Sequence, residues 1–388
     1  MSQTDQDTAF DELTAALQQG GVGQMLEKLA EQYKAEKRFG ELFEVRVMQG
    51  RQRLGLPLKG NDASEELTID KQIQLDHALL ESCKEIGGYL LKDGAIVDAW
   101  KYLRHANLKR PMAEALAECE PDEENLEGLL EVAVHERVAP ARGFEWILQH
   151  MGSCNAVTMF EQVSSMFSVE ERGQVASRIV KHLYHELSES LSAQIQREEG
   201  SPPPEKTVSE MIADRDWLFL GDSYHIDTSH LSMGVRYSVW IQNPEDLKLS
   251  LQLCDYGQRL SSQFHYEGEE PFKDSFADHA KFFHAQLGEQ VEENLAYFRE
   301  KATTLPVNQH GTVPAEAYVA LLTRLRRYDE AMKAAVELIP PHGYFIGLAP
   351  NLLELAKLAN NYPQALEVCR SQADRLNFVL ALSQQTAS

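Results

Sequence analysis

The sequence predicts an all-α protein, a helical-repeat solenoid of stacked antiparallel helix pairs. Three observations carry the prediction. Apolar residues recur at intervals of three and four along nearly the whole chain, strand-like alternation is confined to one short stretch, and a tyrosine–alanine pattern returns after 34 residues near the C-terminus.

Taken in order, Leu26, Leu29, Ala30 and Tyr33 share one side of a first helix, and the Gly20-Gly21-Val22-Gly23 cluster reads as a hinge between helices rather than a phosphate loop. Leu126, Leu129, Leu130, Ala133 and Val134 form a further stripe. Val175, Ile179, Leu183, Leu187, Leu191 and Ile195 predict a long helix, and Phe276, Ala280, Phe283 and Leu287 lead into Val291, Leu295, Phe298 and Ala302. Val235, Tyr237, Val239 and Ile241 alternate like a strand. Asp227 or Thr228 can nevertheless cap a helix there, and Asn243-Pro244 can stop it. Polar or proline-rich breaks fall at Pro57–Asp70, Glu198–Lys206, Leu305–Pro314 and Ile339–Pro350. Three consecutive prolines make the second of these the clearest linker. Cuts near 200 and 310 follow, with segments at 1–112, 113–199, 207–304 and 312–388.

The repeat signal is Tyr328-x-x-Ala331, which recurs as Tyr362-x-x-Ala365. Earlier elements are Ile86-Gly87-x-x-Leu90, Ala99-x-x-x-Leu103 and Leu26-x-x-Leu29-Ala30-x-x-Tyr33, with Pro111 where a second helix would end. In these stretches the chain resembles the tetratricopeptide repeat family, over residues 20–55, 80–112 and 312–372. The resemblance implies one helix–turn–helix per unit, with small residues such as Gly87, Ala99, Ala331 and Ala365 letting helices approach and Phe39, Tyr328 and Tyr362 filling the adjoining groove. It also implies a scaffold that binds a protein or peptide partner and needs no cofactor.

Composition bounds the partners. Lys and Arg number 37 against 60 Asp and Glu, a formal charge of −23, which argues against phosphate-backbone binding and against docking on an anionic membrane. Glu114–Glu131 holds eight acidic residues and no Lys or Arg, as a solvated helical face does. The N-terminus lacks a basic, then apolar, leader, and no stretch is apolar enough to span a bilayer; a soluble cytoplasmic protein is the expectation. Five scattered cysteines form no Cys-x-x-Cys pair.

The chemistry-bearing residues gather in the middle. His225, Asp227 and His230 lie within six residues, and two imidazoles and a carboxylate can ligate zinc or iron. His182 or His279 would complete the shell, and an open position with bound water would support metal-assisted hydrolysis. Under this alternative the protein is a metal-dependent, hydrolase-like enzyme in which His182, Asp227 and Cys154 are the catalytic candidates. The same residues also read as structure. Asp227 is a good N-cap, which would leave His230 in a first turn and His225 packed beneath. Cys154 follows Gly152 and would meet a helix N-terminus, where a thiol with a nearby His135 or His182 becomes a nucleophile; it also reads as an ordinary small buried thiol. Phe264, Tyr266 and Phe272 beside Glu267, Glu269 and Glu270 suit either a cationic ligand or a loop stapled onto its helices. The oligomeric state is not legible.

Overall fold

A computed structural model describes residues 3–60, 67–340 and 346–387, with side chains from residue 8 to 386. The regular structure of the described residues is all helical, apart from one isolated bridge between Glu267 and Asp274. Parts of the predicted breaks at 57–70 and 339–350 lie outside the described residues. The chain divides into two compact units, 1–143 and 144–388, so the cuts expected near 200 and 310 fall inside the second.

The first unit holds α1 (Gln3–Ala35), α2 (Phe39–Arg53), α3 (Ile69–Lys92), α4 (Ile96–Leu103), α5 (Lys109–Glu118) and the short α6 (Leu126–Leu130). The glycine hinge is real: α1 breaks at Gly21, whose φ of 72° and ψ of −167° suit glycine. Leu26, Ala30, Leu42, Val45 and Ile86 form the core between α1, α2 and α3, and Phe39 stacks on Tyr89 at 5.7 Å. Gly87 admits α4, because a Cβ there would lie 2.5 Å from Leu103. Pro111 does not end a helix. It sits in the first turn of α5, where a missing N–H costs nothing. The stripe at 126–134 is helical only to Leu130, and a wider turn at Glu131–His135 follows it with Val132, Ala133 and Val134 buried.

The second unit begins inside α7 (Pro140–Val163). It continues through α8 (Val169–Glu199), α9 (Val208–Ala213), α10 (Thr228–Tyr237), α11 (Pro244–Arg259), α12 (Ala277–Gln286) and α13 (Val291–Thr304). The last helices are α14 (Val307–His310), α15 (Val313–Arg324), α16 (Tyr328–Leu338), α17 (Leu352–Leu358), α18 (Tyr362–Ser371) and α19 (Arg375–Ala387). The long helix is its axis: Val175, Ile179, Leu183, Leu187, Leu191 and Ile195 are wholly buried in α8, against α9, α10 and α11. A capping box of Ser168 and Glu171 starts α8, and left-handed Gly200 ends it. The proline segment is an internal loop, for across it the Val208 amide donates to the Tyr184 hydroxyl of α8 at 3.3 Å. Asp227 caps α10 as expected, but Asn243 and Pro244 start α11 rather than stop α10, which ends in a short tight turn at Ser238–Trp240.

One connection recurs through both units. At Lys37, Gly94, Asn107, Arg326, Asn360 and Ala373 a helix ends in a left-handed residue with φ between 50° and 81°. In each case that residue's amide bonds the carbonyl three back and the next amide bonds the carbonyl five back, as Arg326 to Thr323 at 3.0 Å and Arg327 to Leu322 at 2.9 Å. The residue after the left-handed one, with ψ of 59–70° at Arg38, Ala95, Leu108, Arg327 and Asn361, starts the next helix at once. Five positions after the left-handed residue, Leu42, Ala99, Met112, Ala331 and Ala365 are completely buried. The Tyr-x-x-Ala signature is therefore the first turn of a returning helix, and its 34-residue spacing is that of Arg326 and Asn360. Among the described residues no helix is long and apolar enough to cross a membrane.

Candidate functional site

The central histidines are placed by three helices. Tyr256 of α11 and Gln194 of α8 flank His225, just ahead of α10. The Tyr256 hydroxyl accepts the His225 amide at 2.8 Å and lies 3.0 Å from Nδ1, while Nε2 lies 2.8 Å from Gln194 Oε1. An amide oxygen only accepts, so Nε2 carries the proton and Nδ1 receives the tyrosine's. Both ring nitrogens are occupied in a neutral tautomer. Burial, reinforced by the charge of Arg197, pulls the imidazole's pKa down to about 4. Phe219 closes the pocket, with its ring 5.4 Å from that of Tyr256.

Asp227 turns to the backbone instead. Its Oδ1 accepts from Ser229 N at 2.9 Å, His230 N at 3.0 Å and the Ser229 hydroxyl, and these bonds, the hydroxyl foremost, hold its pKa below the usual carboxylate range. His230 stands half-exposed in the first turn of α10. His279 donates Nδ1–H to the Ser275 carbonyl and stacks on Phe272 at 4.2 Å; burial lowers its pKa to about 4. His182 lies beside Glu186, with Nε2 3.4 Å from Oε1, and the other Glu186 oxygen accepts from Ser153 at 2.9 Å. The five residues expected around a metal therefore do not converge, and among the described residues no three His, Cys, Asp or Glu side chains gather closely enough to hold an ion. Asp227 is committed to its helix cap and His225 to Tyr256 and Gln194. Cys154 does follow a helix break, at Gly152 with φ 82°, and its thiol is exposed with no hydrogen-bond partner among the described residues. The aromatic loop is stapled: Phe272 packs on Phe282 and Phe298, and Glu270 pairs with Lys301 at 2.6 Å.

A second locality was invisible to the motif search. Glu316, in the first turn of α15, is wholly buried, and its carboxylate accepts four bonds: from Thr312 Oγ1 at 2.8 Å and from the amides of Ile346, Gly347 and Leu348 at 3.0 Å each. Arg172 secures the same segment through the Ile346 carbonyl at 3.0 Å, its guanidinium lying 4.7 Å over the ring of Trp240. Two turns along α15, Arg324 has no carboxylate partner among the described residues. It donates to Gln286 Oε1 at 2.9 Å and to the Val239 carbonyl, and lies 5.2 Å over the ring of Phe282. Burial pulls its pKa down to about 10. Arg324 lines a cleft of about 650 Å³ bounded by the end of α15, the Leu348–Pro350 wall and α17. Arg326, Tyr328, Glu354 and Lys357 line it too. The signal in the sequence was slight: a glutamate inside an apolar helix, and Arg324-Leu-Arg-Arg327 in an acidic chain. No protein-family model, curated protein or solved structure matches this chain.

Proposed function

We propose that the protein is an adaptor of the tetratricopeptide-like solenoid type that holds a helical segment of a partner protein on its C-terminal helices. The observation that carries this reading is α19. One side of it packs on α17 and α18 with Ala381 fully buried, while Leu376 and Val379, 73% and 62% exposed, continue an apolar surface with Leu380 and Leu382. In a stack of helix pairs each apolar face is covered by a neighbouring helix, and α19, whose far side no other helix covers among the described residues, offers that place to a guest. A groove of about 380 Å³ adjoins it, lined by Val336 of α16, Ile339 just beyond that helix, Leu353 of α17 and Val368 of α18. The recurring left-handed turn and the 34-residue spacing support the repeat reading.

The test places a photo-crosslinking residue at Val379 of the full chain and compares it with the same protein carrying Leu376→Asp. The expected result is a stoichiometric adduct with one partner, competed by a synthetic helix of the captured segment and abolished by the aspartate with no loss of thermal stability. Crosslinking only to a second copy, or an adduct indifferent to Leu376→Asp, overturns the reading.

A further inference from the structure

We propose that the cleft between α15, α17 and the Leu348–Pro350 wall binds an organic phosphate monoester, with Arg324, Arg326 and Lys357 supplying the counter-charge. This goes beyond the partner reading and uses a different surface from the outer face of α19.

Three other half-buried arginines of this acidic chain give the comparison. Arg46 grips Glu85 through two bonds of 2.8 and 2.9 Å, Arg215 pairs with Glu199 and Glu205, and Arg327 with Glu292 and Glu330. Arg324, half-buried, has only neutral acceptors among the described residues, although a charge partly withdrawn from water without a counter-ion is costly. A guanidinium carries five N–H donors in a planar fork, so donors remain beyond the two in use. Arg326 and Lys357 make no ion pair among the described residues. Glu354, the one carboxylate on the cleft lining among the described residues, accepts the Asn351 amide at 2.9 Å in the capping box of α17. Three cations against one anion leave two positive charges. A dianionic phosphoryl group neutralises them, whereas a single carboxylate leaves one over.

The remaining lining suits the organic part of such a ligand. Leu348, Ala349, Pro350, Leu358 and Val169 give an apolar surface, and the volume falls within the roughly 300–1,000 Å³ of small-molecule sites. The wall is preformed: Glu316 and Arg172 fix it from behind, so binding need not order it first.

The test is calorimetric titration of the full chain with phenyl phosphate, with benzoate as the monoanionic comparison. Saturable binding of phenyl phosphate, at least about tenfold tighter than benzoate, is expected. The exposed pair Arg326→Gly and Lys357→Gln should weaken it by about tenfold or more while leaving the unfolding temperature unchanged, since glycine suits the left-handed backbone at 326. Arg324→Gln should remove binding altogether, and the rim pair decides the matter if that variant fails to fold. A third arm uses a phosphoserine heptapeptide. Tighter binding than phenyl phosphate assigns the group to a phosphorylated partner side chain, and equal or weaker binding assigns it to a free small molecule. No saturable heat at millimolar phenyl phosphate, equal affinity for benzoate, or indifference to the rim pair overturns the proposal.

Discussion

Two parts of the second unit treat their polar groups in opposite ways. Around α10 and α11 the residues that look reactive in the sequence each find partners elsewhere in the fold: His225 has Tyr256 on one nitrogen and Gln194 on the other, Asp227 has two amides and a hydroxyl, and His279 has the Ser275 carbonyl. Around α15 two charges sit eight residues apart with unequal company. Glu316 is wrapped by four donors, and Arg324 is left facing a cleft with neutral acceptors alone. The histidine-rich segment is built as structure, and unused bonding capacity lies where no motif points. What a residue type can do chemically matters less than which of its bonds the fold leaves open.

The largest test removes the wrapped charge. Glu316→Ala strands three backbone amides and a hydroxyl and frees the cleft wall, and should cost about 4 kcal/mol in urea denaturation. A loss below about 1 kcal/mol would mean that the wall does not depend on that carboxylate, and the contrast with Arg324 would collapse.

The histidines give the next effect. His225 and His279 have folded pKa values of about 4, below the 6.5 they have when unfolded. As pH falls below 6.5 the unfolded chain takes up protons that the folded chain refuses. Their contribution is therefore complete above 6.5, is lost progressively down to about 4, and does not recover below. Each imidazole should account for about 2 kcal/mol between pH 7.5 and 5. His225→Gln should flatten the pH dependence of the unfolding free energy by that amount. An unchanged slope would show His225 to be accessible to protons, and so open to chemistry after all.

A smaller effect probes the regular hairpins of the first unit against this crowded centre. Gly87→Ala drives a methyl group into Leu103 and should cost about 2 kcal/mol, most of it recovered when Leu103→Ala is added. Additive losses would mean that α3 and α4 do not meet at that point.

Helices were readable because their apolar spacing is a direct image of burial: all six stripe residues of α8 are inaccessible. The alternation at Val235–Ile241 is helical only to Tyr237, begun by the cap at Asp227 and followed by the tight turn at Ser238–Trp240, and Asn243-Pro244 opens the next helix where a stop was expected, because a cap and a stop use the same residues. The grouping of the central histidines is a different case. Closeness in sequence put His225, Asp227 and His230 together, but a helix begins between them and sends the carboxylate to its own amides. Tyr256 and Gln194, which neutralise His225, are 31 residues away on either side. Arg324 was illegible because what distinguishes it is a missing partner, and pairing is a property of three-dimensional neighbours.

The left-handed turns carry one more consequence. Each connection has a fixed length, with two hydrogen bonds locking a single reversed residue before the next helix starts. Adding one amino acid at Asn360 would rotate the helix beyond it by about 100° and carry Ala365 from the interior to the flank. Length changes should accordingly be tolerated in the proline segment after Gly200 and refused at these six corners, which makes the former the place for a tag or a graft and the latter the hardest sites in the molecule to lengthen.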